Sequence, residues 1–61
     1  MNYLELDQAM LYSIVNMKLR DFYSDLEDFC LSENIDISDF EQRLKDLDLS
    51  YNPNTNQLEE K

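Results

Sequence analysis

The chain contains no glycine, histidine or tryptophan, a single proline, a single cysteine, and only five basic residues against fourteen acidic ones. Each shortage removes a class of chemistry. Phosphate-cradling loops and dinucleotide fingerprints need glycine where the backbone approaches a phosphate, so both are excluded. Nothing else in the sequence implies a cofactor. Without histidine, and with Cys30 as the only thiol, no structural zinc site can be assembled. A lone cysteine forms no internal disulfide and fits a reducing compartment. No basic start followed by an apolar run marks a signal peptide, and no apolar run approaches the ~18 residues that span a bilayer. The expected location is cytoplasmic, away from membranes. The net charge of −9 repels nucleic acid and anionic lipid alike. Expected partners are neutral or basic proteins, or a second copy of the chain.

Hydrophobic residues make up 43% of the 61 positions, which suits a folded domain rather than a disordered tail. The sequence reads as one small, mainly α domain. Its expected parts are an N-terminal segment 1–6, helix one 7–20, helix two 24–33, helix three 36–47, a hairpin 49–58 and a frayed tail 59–61. Together they outline a three-helix, helix-turn-helix-like domain with a small C-terminal β-hairpin, a miniature winged helix.

Asp7 is the expected N-cap of helix one. At 100° per residue, Met17, Met10, Ile14, Leu11, Phe22, Val15, Leu19 and Tyr12 sweep roughly 220° of that helix, where contact with one neighbour needs nearer ~100–140°. Ser24 with Glu27 fits a capping box that opens helix two. Asn34 suits the left-handed residue that ends it. Asp36 is the expected cap of helix three, with Ile35 and Phe40 as its hydrophobic staple; Ser38 with Glu41 competes but lacks a staple. Ile37, Phe40, Leu44 and Leu47 make a narrow apolar stripe. From Leu47 the period changes to two, so Leu47, Leu49 and Tyr51 read as one face of a strand. Asn52-Pro53-Asn54-Thr55 is a type I turn signal, and Asn56 can close it in the left-handed region.

Met10-Leu11, Ser13, the run Val15-Asn16-Met17-Lys18-Leu19-Arg20-Asp21, Tyr23-Ser24, Leu26, Cys30, Ile35-Asp36, Leu44 and Tyr51-Asn52-Pro53 with Asn56 together resemble a short bacterial family, domain of unknown function forty-two fifty. The resemblance covers about residues 7 to 58, and the Asn16 to Asp21 run is its most specific part. Gln8 stands where the family pattern has proline, and Leu58 where it has an aromatic. The resemblance implies a small helical fold of bacterial origin and implies no activity.

The helix-turn-helix spacing argues a fold more than a DNA reader. Residues 24 to 48 hold nine acids and only Arg43 and Lys45 as bases. A DNA reader needs several bases to neutralise phosphates before it contacts any base pair. Asp46, Asp48, Ser50, Asn52 and Asn54 alternate like a calcium loop, but Tyr51 and Gln57 stand where that loop needs glycine and glutamate. Cys30 has no histidine to activate it, and no carboxylate pair has surroundings that would separate its pKa values. The chain is therefore expected not to be an enzyme.

Two surfaces remain. The surplus apolar arc of helix one marks Met10, Tyr12, Ile14 and Met17, with Leu31, as a candidate self-association surface for a homodimer; Tyr3, Leu4 and Leu6 share that interface character. Asn16, Lys18 and Arg20, with Asp39, Glu41, Gln42 and Lys45 on helix three, form a candidate partner-facing polar surface. The bases of both groups also sit in last helical turns, where they complement the macrodipole. The expected function is a non-enzymatic protein–protein interaction module. The alternative is a transcription-linked regulator acting by weak DNA contact or by acidic mimicry of DNA toward a basic protein.

Overall fold

A computed structural model describes residues 2–61 and contains three helices followed by a two-stranded antiparallel hairpin. The helices are α1 (Gln8–Asp21), α2 (Leu26–Ser32) and α3 (Ile37–Asp46); the strands are β1 (Leu49–Asn52) and β2 (Gln57–Glu60). A single 3-10 turn, Tyr3–Glu5, precedes them.

Local chemistry explains most boundaries. Asp7 is extended and accepts from the Met10 N–H at 2.8 Å, satisfying a donor that the first turn leaves orphaned. Asp36 does the same for Ser38 and Asp39 at the start of α3. Asn34 and Asn56 take φ of 59° and 55°, the left-handed region that asparagine tolerates at low cost. The cap of α2 differs from the expected one. Asp25, not Ser24, is the extended residue, and its carboxylate accepts from the Asp28 N–H at 2.7 Å. Asp28 in turn accepts from the Ser24 N–H, one residue before the cap, so Ser24 is held by its backbone and not by the expected hydroxyl cap.

The first strand opens at Leu49, as expected for the hairpin, although the alternation runs back to Leu47. Leu47 is the C-cap of α3, and Asp48 turns the chain with φ 57°. β1 therefore opens at Leu49. Opposite it, β2 continues through Glu60, and the Lys61 N–H donates to the Asp48 carbonyl at 2.9 Å. The backbone ladder thus takes in residues 59 and 60, where fraying was expected.

The core gathers Leu11, Val15 and Leu19 of α1, Phe29 and Cys30 of α2, Phe40 of α3 and Leu49 and Leu58 of the hairpin, with others at its margin. Phe29 is its hub. Tyr3 and Tyr23 meet its ring edge to face at 5.2 and 5.5 Å, and Phe40 lies tilted at 5.5 Å. Such pairs add about 0.5–1.5 kcal/mol each beyond burial. Tyr3 is buried, and Leu4 and Leu6 pack against the core, so the N-terminal segment is core rather than interface. Arg43 anchors it by donating to the Leu6 carbonyl.

Candidate functional site

The hairpin is held to α1 by side-chain amides. Asn16 lies in mid-helix, where an amide has no use unless it finds a partner. Its Nδ2 donates to the Leu58 carbonyl at 3.2 Å and its Oδ1 accepts from the Leu58 N–H at 2.6 Å. The side chain thus pairs with β2 as a neighbouring strand would. Gln57 Nε2 donates to the Asn16 carbonyl at 3.1 Å. Asn56 Nδ2 donates to the Leu19 and Tyr23 carbonyls at 3.1 and 3.0 Å, and its Oδ1 accepts from the Tyr51 hydroxyl at 2.7 Å. Gln8 adds a tie of the same kind, donating to the Leu47 carbonyl at 2.7 Å. Proline at this position could not make that bond. Asn16, Tyr51 and Asn56, three residues that carry the family resemblance, are thereby given a structural role.

The polar candidates of α1 are all engaged within the chain. Asn16 pairs with Leu58, which removes its amide from any partner-facing surface. Lys18 pairs with Glu33 at 3.2 Å, and Arg20 with Asp21 at 2.9 Å. Glu33 also accepts from the Tyr23 hydroxyl at 2.8 Å. That bond, with the Lys18 ammonium, holds its carboxyl below the usual carboxylate range. On α3, Asp39, Glu41, Gln42 and Lys45 are exposed, and Gln42 donates to Asp46 one turn on. The two halves of that set sit on different elements.

The apolar candidates divide as well. Met10, Ile14 and Met17 share one face of α1 by their spacing of four and three residues. Met10 is 49% exposed and Met17 38%, while Ile14 packs against the core edge. Tyr12 falls on the Asn16 side of the buried Leu11, Val15 and Leu19 stripe, away from the methionines. Leu31 belongs to α2 and is 74% exposed. Phe22, expected within the helical arc, is the C-cap of α1 and exposed.

Two contiguous depressions lie between β1 and the α2–α3 pair and share Leu26, Glu41 and Tyr51 in their walls. Lys45 and Lys61 line one end, Asp25 and Glu27 the other. Sequence reading singled out Glu41 and Lys45 but not this groove, because its other walls come from β1 and α2.

Cys30 is buried, and burial, aided by Glu41 and Asp36, pushes its thiol up to about 11. It is a small core residue where α2 meets the rest of the core. Among the described residues, no group of three or more cysteine, aspartate or glutamate side chains gathers to hold a metal ion. No helix among them is long and apolar enough to cross a membrane.

Comparison with known proteins adds one finding. The family described as Domain of unknown function (DUF4250) matches residues 5–58. No curated protein and no solved structure matches the chain.

Proposed function

The chain belongs to that DUF4250 family, whose description names no activity, and we propose from its surfaces that it is a non-enzymatic protein–protein interaction module that self-associates through α1. One observation carries the reading. Met10 and Met17 stand exposed on one face of α1 while Leu11, Val15 and Leu19 on the opposite side are buried. A methionine fully buried at an interface gains about 1.5–3 kcal/mol over one left in water, and its flexible thioether adapts to a second copy of itself.

Charge limits how tight the pairing is. Two copies of a chain with net charge −9 repel each other. Along α1 the local contribution to that repulsion is small, because Lys18 is paired with Glu33 and Arg20 with Asp21 within each copy. An antiparallel pairing of two α1 helices sets Met10 of one copy near Met17 of the other and satisfies two-fold symmetry. Direct DNA contact is no part of this function, since α3 presents Asp39, Glu41 and Asp46 to solvent.

Light scattering over a concentration series tests the proposal. The expected result is a dimer whose fraction rises with concentration, and a monomer for Met17→Glu with an unchanged circular dichroism spectrum. A monomer at every concentration overturns it, as does a dimer indifferent to Met17→Glu.

A further inference from the structure

Among the described residues, β1 has a neighbour on one side only. In an antiparallel pair, opposed residues alternate between exchanging both backbone bonds and exchanging none. The Lys61 N–H to Asp48 carbonyl bond sets the alternation for this ladder. With Leu49 opposite Glu60 and Tyr51 opposite Leu58, Ser50 and Asn52 turn their backbone groups toward β2, and Leu49 and Tyr51 turn theirs away. The other strand supports the assignment independently: Leu58 turns its N–H and C=O outward, where Asn16 takes both. Tyr51 has no counterpart to Asn16. Among the described residues, none bonds to its N–H or C=O across that edge. An unpaired edge of this kind is a template for another strand.

The open edge adjoins the groove between β1 and the α2–α3 pair. Leu26, Leu44 and Tyr51 supply its apolar wall, with Lys45 and Lys61 at one end, Asp25 and Glu27 at the other, and Glu41 between them in both depressions, so that two of the three acids and neither lysine line the Asp25 end. We propose that this groove binds an extended peptide segment of another protein, added as a strand along β1, with a basic residue at the Asp25 and Glu27 end and an acidic one at the Lys45 and Lys61 end. Backbone bonds to Tyr51 supply register, and alternate side chains of the peptide enter the groove. The occupant is a single free strand. Pairing of two β1 edges would set the α2–α3 walls of the two copies against each other, so a second copy is the occupant that the concentration dependence in the test reads. The site uses α2, α3 and β1 and none of the methionine face, so it stands apart from self-association through α1, and each can fail alone.

The test is selection of a random dodecapeptide library, displayed on phage, against the immobilised full chain. Expected winners carry alternating β-branched or aromatic residues between a basic end and an acidic end. Hydrogen exchange then reads the complex: the Tyr51 amide slows when the winning peptide is added. Charge reversal of Glu27 and Glu41 to lysine, both exposed and thus compatible with folding, weakens that peptide roughly fivefold or more. Four results overturn the proposal. These are no enrichment over an unrelated acidic protein, winners without the split of charge, binding that leaves Tyr51 exchange unchanged, and Tyr51 protection that rises with chain concentration in the absence of peptide.

Discussion

The two edges of the hairpin are chemically the same and structurally opposite. Each presents backbone N–H and C=O groups outward, at Leu58 on β2 and at Tyr51 on β1. On β2 a side chain from α1 closes the edge: Asn16 supplies one donor and one acceptor in the spacing of a missing strand. On β1 the edge stays open beside a groove with charge of opposite sign at its two ends. An isolated two-stranded hairpin is marginal in water. One edge must therefore be spent on holding the hairpin to the helices, and only the other remains for an outside strand.

Breaking the closed edge has the largest expected effect. Asn16→Ala leaves the N–H and C=O of buried Leu58 without partners and costs about 2–4 kcal/mol, measured by urea unfolding. Detachment of the hairpin also speeds exchange of the β2 amides.

Asn56→Gly comes next. Glycine keeps the φ of 55° while removing the bonds to Leu19, Tyr23 and Tyr51. The expected loss is about 1–3 kcal/mol, smaller than for Asn16 because carbonyls at a helix end can turn to water. Asn56→Ala costs more than Asn56→Gly, since its Cβ also crowds a left-handed backbone; comparing the two melts separates the turn from the staple.

Glu33→Gln sharpens the comparison from outside the hairpin. Tyr23 and then Lys18 hold the Glu33 carboxyl below its ordinary value. The folded form therefore binds the proton less readily than the unfolded form. The resulting stability is present above the unfolded value of 4.5 and is lost as pH falls through the lower folded value. Thermal melts between neutral pH and about pH 3 should show a shallower acid decline in the variant, which is less stable by about 1 kcal/mol at neutral pH.

The smallest effect belongs to the open edge. Glu41→Gln alters an exposed groove residue, so its stability stays within about 0.5 kcal/mol of the parent in the same urea titration. A larger loss would mean that the groove, like the closed edge, is part of what holds the fold.

Caps and turns were legible in the linear chain where the chemistry is confined to neighbours. Asp7 and Asp36 cap N–H groups two or three residues away, and Asn34 and Asn56 take the left-handed backbone that asparagine favours; the bonds from the Asn56 side chain to Leu19 and Tyr23 are not local and had no such signal. Ser24 and Asp25 compete for one cap because both can accept from the first turn, and the choice depends on how the loop after α1 enters α2. The alternation of Leu47, Leu49 and Tyr51 carries a strand period straight through Asp48, and nothing in that pattern marks the left-handed turn the residue makes there. On sequence alone Asn16 belongs to the candidate partner-facing polar surface. The available signal was an asparagine in mid-helix beside an apolar stripe, a position where the amide competes with the backbone unless a partner is supplied. That partner is 42 residues away.

By itself the sequence determined the acidic character, the three helices, the hairpin and the Asp7 and Asp36 caps, because periodicity, capping and left-handed turns are short-range physics. The tertiary structure alone decided that Tyr3 packs on Phe29, that Asn16 and Asn56 bind the hairpin, that only part of the apolar arc of α1 is covered, and that one strand edge stays open. Those outcomes depend on which distant groups meet. A hydrogen bond or an apolar contact has a value only when its partner has been placed.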